Sequence, residues 1–326
     1  MADPALRRSL AATLAYFDLF EYPLTLAELT RYRYRLPEEA AGRTWSAADL
    51  LSSLDEAAFG SKDGYWFLAG REATVATRQR RFRLKEKKFV RARRVVAFLG
   101  MLPSVRLAAV CNSLAIANAD KESDIDLFIV ALPGTLWVTR LIVVAALAVL
   151  GLRPDARSHA DKVCMSFFVS ESAQNLSRYA LAPDDTYLRY WAATLVPLYD
   201  AGGAFGRFIA ANGWVRDRLP GLGGEGAASA VERWRGRPTP DLVRPAPRWT
   251  RSLLPILRAA ESHARRLQMR MFPKEIAAMA NIDSRVIISD DILKFHVNDR
   301  RAEYERLFRE RLRAMMAAEE RALVAA

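Results

Sequence analysis

The chain has 326 residues, 51% hydrophobic and 26% charged, with a formal net charge of +12. That balance excludes a disordered chain, and the length suits about two domains of roughly 150 residues each. Its two cysteines, Cys111 and Cys164, lie in no CxxC or Cys/His cluster, which argues against a disulfide framework or a zinc site.

The opening MADPALRRSL lacks the continuous apolar run of a signal peptide, so the expected compartment is the cytoplasm. Residues 1–75 read as a small helical module. Leu6, Leu10, Leu14, Phe17 and Leu19-Phe20 recur at helical spacing as far as Pro23. Thr25 with Glu28, and Ser46 with Asp49, form capping-box patterns that open a second and a third helix. Asp63-Gly64 is a hairpin signal ahead of Tyr65-Trp66-Phe67-Leu68. Three helices and a hairpin resemble a winged helix-turn-helix. The third helix, read over Ser46 to Phe59, carries Asp49, Asp55 and Glu56 and no Lys or Arg, which suits partner contact better than a DNA groove.

Residues 76–100 read as a connecting helix. From Arg78 to Arg94 ten basic residues stand against Glu86 alone, so this stretch holds nine of the twelve net charges. Phe82 and Phe89 leave one narrow apolar stripe on it. Two readings follow: a surface for nucleic acid, or a connector whose charges are met by acidic groups elsewhere.

Residues 101–219 alternate strand and helix signals, which predicts an α+β domain with strands over 104–111, 124–131, 162–170 and 194–199. Helices are expected over 184–193 and 204–219. The apolar run Leu141 to Leu152 is bounded by Pro133-Gly134 and Pro154 and contains no more than a helix over Thr135 to Gly151. That length is about 25 Å against the roughly 30 Å of a bilayer core, which predicts a buried helix and no membrane span. Residues 220–248 are rich in Gly and Pro and read as a linker, with one helical turn around Val231 to Trp234. Residues 249–326 read as mainly helical, with helices over 249–271 and 300–322 and a short strand at 285–289. The polar segment Ser289 to Asp299, with His296 in it, has two readings: a stretch that folds back over the site between Val110 and Val130, or, preferred, a helix cap by Asp290.

The chemistry sits between Val110 and Val130. An apolar strand ends at Asn112-Ser113, and after ten intervening residues Asp124-Ile125-Asp126 opens the next one. Positions two apart on a strand share a face, so the two carboxylates stand about 6–7 Å apart while Ile125 and Leu127 face the core. Such a pair repels unless a cation joins it, and hard oxygen ligands suit Mg²⁺ completed by phosphates and water. Two ions about 3.5–4 Å apart can stabilise both oxygens of a phosphoryl displacement. The Asn112-Ser113 turn, at a strand end entering a helix, offers N–H groups and a hydroxyl to a triphosphate. An EF-hand from Asp120 fails, because Ile125 and Ala131 stand where glycine and glutamate are required. A sugar-nucleotide Asp-x-Asp closes a strand, whereas this one opens it. A pair of solvated acids is the plain structural alternative.

The segment resembles the signature of the polymerase-beta-like nucleotidyltransferase superfamily: a small Gly-Ser pair after a strand, a spacer, then Asp-x-Asp on the next. The likeness covers residues 101–200, about a third of the chain. It implies a mixed sheet flanked by helices, with Asp124 and Asp126 as catalytic metal ligands for Mg²⁺. Asn112, Ser113 and Ser123 would bind the nucleotide, and a nucleoside monophosphate would pass from a nucleoside triphosphate to a protein, RNA or small hydroxylated acceptor. Two departures stand out. The family's glycine is Asn112, the non-glycine type best suited to positive φ. No acid lies within Val163 to Val169, where the third carboxylate is expected; Ser166 occupies its middle, and Asp161 and Glu171 flank it. A catalytically weak or inactive binding protein, with or without nucleic acid, is the alternative. Lys162 and Arg140 have two readings, cations that reach phosphates from strand and helix ends or ordinary charges at the edge of the core, while His159, His263 and His296 show no ligand spacing.

Overall fold

The computed structural model describes residues 3–39, 42–54, 58–154, 159–223 and 248–325. Helix α1 (Pro4–Asp18) is capped by Asp3, whose carboxylate accepts from the N–H groups of Ala5 and Leu6. Strand β1 (Leu24–Thr25) leads into α2 (Leu26–Tyr32), and α3 (Ala47–Ser52) follows; both capping boxes form as the sequence predicts. Asp55 and Glu56 lie outside the described residues. Asp63 and Gly64 take φ of +52° and +77°, the two positive values of a tight type I′ turn, between β2 (Phe59–Lys62) and β3 (Tyr65–Leu68). The three strands form a small sheet in the order β1-β3-β2.

Helix α4 (Ala73–Leu99) carries the basic run, and much of that charge is committed inside the protein. Arg78 is 1% exposed; its guanidinium donates to Glu28 Oε1 at 2.8 Å and lies 3.8 Å from the Tyr22 ring centre. Lys88, also buried, donates to the Ser123 carbonyl at 2.6 Å and to Asp161 Oδ1 at 2.8 Å. Arg81, Lys87 and Arg91 pair with Glu21 and Asp161. Phe89 of the expected stripe packs on the core, and Lys85 lies over the Phe82 ring.

Among the described residues the main sheet has six strands: β4 (Val105–Val110), β5 (Ile125–Ala131), β6 (Val163–Ser170), β7 (Val196–Asp200), β8 (Val286–Ile288) and β9 (Ile292–Phe295). Their order is β7-β4-β5-β6-β9-β8. Only β5 and β6 run parallel, joined by α6 (Leu136–Val149); every other neighbouring pair is antiparallel. Alternation then sorts the side chains. Phe128, Val130, Phe167 and Val169 share one core with α1, α7 (Thr186–Thr194), α8 (Ala204–Ala211) and Phe308. Leu127, Ile129, Val163 and Phe168 share the other with α4, α6 and α9 (Leu254–Met271).

Several boundaries differ from the sequence reading. The 204–219 helix stops at Ala211 and continues as a 3₁₀ turn over Gly213–Asp217. The helix expected from 249 begins at Leu254, one residue before Pro255, after a 3₁₀ turn. Val149 and Leu150 are 87% and 63% exposed, so the end of α6 stands in solvent while its body packs against the sheet and against α9. No helix among the described residues is long and apolar enough to cross a membrane.

The larger correction concerns the C-terminal region, which contributes two strands to the main sheet. Beyond α9 come the short helix α10 (Lys274–Met279), the β8–β9 hairpin, and α11 (Arg301–Ala325). Phe168 on β6 faces Leu293 on β9. Asp290 therefore sits at a hairpin turn, where it accepts from the Trp137 indole N–H at 2.9 Å and caps no helix. The Val231 to Trp234 turn and most of the 220–248 linker lie outside the described residues.

Candidate functional site

Strand β4 ends at Val110, and Asn112 adopts φ of +55°, the left-handed conformation expected of it. The following helix α5 (Asn112–Ala115) is a single turn. It supplies no aligned stack of peptide dipoles, contrary to the expected strand-to-helix anion site.

Asp124 and Asp126 do converge. One ligand atom from each, and Cys164 Sγ, all lie within 4.8 Å of one another. The reason is the register: Asp126 opposes Cys164 on the parallel neighbour β6. Between Asp126 and Phe128, β6 advances three residues to β5's two. That bulge puts Met165 and Phe168 in one core and Phe167 and Val169 in the other.

Burial first, and the Asp124 charge second, push the Asp126 carboxyl up to about 7; hydrogen bonds from Asn112 and Cys164 pull it back. Burial also raises Asp124, opposed by the nearby charges of His159 and Lys88. Burial, then Asp126, pushes the Cys164 thiol up to about 12, so it stands there neutral. A divalent cation would relieve the repulsion between the carboxylates, and two carboxylates completed by water and phosphate are a donor set that Mg²⁺ accepts. A neutral thiol is too soft to join them as a Mg²⁺ ligand.

The surroundings form a chain of polar contacts. Tyr187, at the start of α7, donates to Asn112 Oδ1 at 3.5 Å, and its ring stacks on Tyr304 with centres 5.6 Å apart. On the other side, Ser166 hydrogen-bonds to Cys164 and lies 2.7 Å from His296 Nε2. Burial, then Lys294, lowers the His296 ring to about 3, so it is neutral. Sequence reasoning missed Cys164 and Tyr187, because the register of β6 and the packing of α7 decide their positions; His296 arrives with the polar segment 289–299, which folds back beside Ser166.

Other expected groups lie elsewhere. Ser113 is half-buried within α5, and its carbonyl accepts from Asn118 N–H at 2.8 Å. The Ser123 hydroxyl closes a turn with Asp120. The candidate third acids are all engaged by other groups: Asp161 by Lys87, Lys88 and Arg91, Glu171 by Arg106 and Arg207, Asp290 by Trp137 and Arg265. Cys164, not a carboxylate, faces the pair from β6. Lys162 donates to the Gly151 carbonyl, and Arg140 packs among the α6 and α9 residues on the opposite side of the sheet from Asp126. Neither is part of the site.

Comparison with family models, curated proteins and solved structures gives no match for this chain.

Proposed function

We propose that residues 101–200 bind a nucleoside triphosphate with Mg²⁺ and transfer its nucleoside monophosphate to a hydroxylated acceptor. The observation that carries this reading is the convergence of Asp124 and Asp126 at the mouth of β5, beside a left-handed Asn112 turn. The metal supplies charge neutralisation at the phosphates when bound. Asp124 and Asp126 hold it, and Asn112 fixes the Asp126 carboxylate by hydrogen bonding. The mixed sheet flanked by helices agrees with the resemblance to polymerase-beta-like nucleotidyltransferases, and the helix–hairpin module ahead of it agrees with a winged-helix reading.

The acceptor class that the surface favours is RNA. Arg80, Arg83, Lys87 and Arg94 are exposed at steps of three, four and seven, which places them along one face of α4. Arg78 and Lys88 are buried and take no part in that row.

A second reading, a nucleotide-binding protein with little turnover, is favoured by Cys164. Its neutral thiol stands where a third carboxylate would help activate an acceptor hydroxyl. Thermal shift with each of the four Mg-nucleoside triphosphates, on the wild type and Asp124→Ala, tests the binding common to both. Stabilisation in the wild type alone is expected, and none in either protein would reject both. Pyrophosphate release with an RNA acceptor then separates transferase from binder.

A further inference from the structure

On the other face of the sheet, α6, α9, α10 and β9 enclose a pocket of about 450 Å³, within the range of small-molecule sites. Its walls are apolar except at Arg140, Arg153 and Gln268. Arg140 is held in place: one guanidinium nitrogen donates to Gln268 Oε1 at 2.5 Å, and the group lies 4.4 Å from the Phe295 ring centre and 5.3 Å from that of Phe272. Gln268 is itself fixed, donating to the carbonyls of Trp137 and Ala264. Arg140 Nε is buried with no hydrogen-bond partner.

A buried guanidinium normally has a carboxylate beside it, because an uncompensated charge is costly to desolvate. Among the described residues none pairs with Arg140. Burial, and then the charge of Arg153, pushes it down to about 10. Glu261 on α9 caps the start of α6 through the Trp137 and Val138 N–H groups, and Asp290 accepts from the Trp137 indole. Glu261 and Asp290 are thus engaged elsewhere, while two arginines share one pocket. The mouth carries apolar surface too: Met271, which lines the pocket, is 67% exposed.

We propose that this pocket binds a small amphipathic carboxylate, its head against Arg140 and its apolar body against Leu141, Val144, Phe272 and Ile276. Guanidinium favours carboxylate through paired charge-assisted hydrogen bonds, and Arg140 lines the pocket with no acid among the described residues paired to it. The site is separate from Asp124 and Asp126, and its occupancy does not depend on them.

Isothermal titration of the full chain with decanoate and with decanol tests the proposal. Decanoate is expected to saturate one site below its micellar range and to bind about tenfold or more tightly than decanol. Arg140→Gln removes that preference. Ala145→Trp, at an exposed position on the wall, blocks both ligands while leaving Arg140 in place, so it keeps the pocket testable even if the first variant does not fold. Asp124→Ala leaves binding unchanged. Equal affinity for acid and alcohol, or decanoate binding that survives Ala145→Trp, would overturn the proposal. So would sedimentation with anionic phospholipid vesicles in the absence of decanoate binding, which would make the face a membrane contact.

Discussion

Asp126 carries a conflict that its position imposes: it lies beside a second carboxylate and a neutral thiol, with burial opposing its charge. A proton or a cation resolves that conflict, and the two compete. Divalent-ion affinity is therefore expected to rise as pH passes upward through about 7, measured by titration calorimetry with Mg²⁺ and Mn²⁺. Asp126→Asn removes the pH dependence together with most of the binding. Cys164→Asp supplies the hard ligand that β6 lacks and is expected to raise Mg²⁺ affinity about tenfold; an unchanged affinity would place residue 164 outside the coordination shell. His296 titrates with the opposite consequence for folding. Its ring takes a proton below about 6.5 when unfolded but only near 3 when folded. The unfolded chain then binds more protons between those values, so stability falls as pH drops from 6.5 towards 3 and is unaffected above. His296→Gln, compared with wild type in urea melts at about pH 7.5 and about pH 5, is expected to show a smaller loss. Asp124 and Asp126 were legible in the sequence because strand periodicity places both on one face. Cys164 was not, since its place opposite Asp126 depends on a β6 bulge that no local pattern announces.

At the scale of elements, the N-terminal module forms as its local chemistry dictates, with both capping boxes and the Asp63-Gly64 turn in place. In helix α4 composition gives the charge but not its partners. Arg78 ties α4 to Glu28 of α2, as the connector reading expects of some of these charges, and Lys88 holds the loop ahead of β5 through the Ser123 carbonyl. Arg78→Met leaves Glu28 buried beside Tyr22 without its cation, at an expected cost of about 3–5 kcal/mol in denaturant melts. Replacing both partners with apolar residues is expected to recover only part of that loss, as it removes the stranded charge but also the Glu28 half of the α2 capping box. The exposed row behaves differently. Charge neutralisation at Arg80, Arg83 and Arg94 is expected to leave stability nearly unchanged and to flatten the salt dependence of RNA binding, by about one unit of slope for every phosphate no longer neutralised. RNA affinity that is insensitive to all three changes would remove α4 from the acceptor surface.

Across the whole molecule, the C-terminal region completes the fold. Strand β9 covers the edge of β6, and Phe308 of α11 packs against Tyr16 and Tyr34. A chain truncated after Arg285 would lose β8, β9 and α11 together and leave β6 as an open edge beside a hydrophobic core. We expect it to be insoluble or to lack a cooperative melt, checked by size exclusion and circular dichroism. The sequence by itself determined the helical caps, the hairpin turn, the strand–helix–strand succession through β5, α6 and β6, and the shared face of Asp124 and Asp126. All of these rest on periodicity and turn chemistry within a few residues. Only the tertiary structure decided which strand neighbours Asp126, that the C-terminal hairpin closes the sheet, and that Arg78 and Lys88 of the basic helix are buried. Those outcomes depend on register and ion pairing between residues far apart in the chain, which local patterns do not encode.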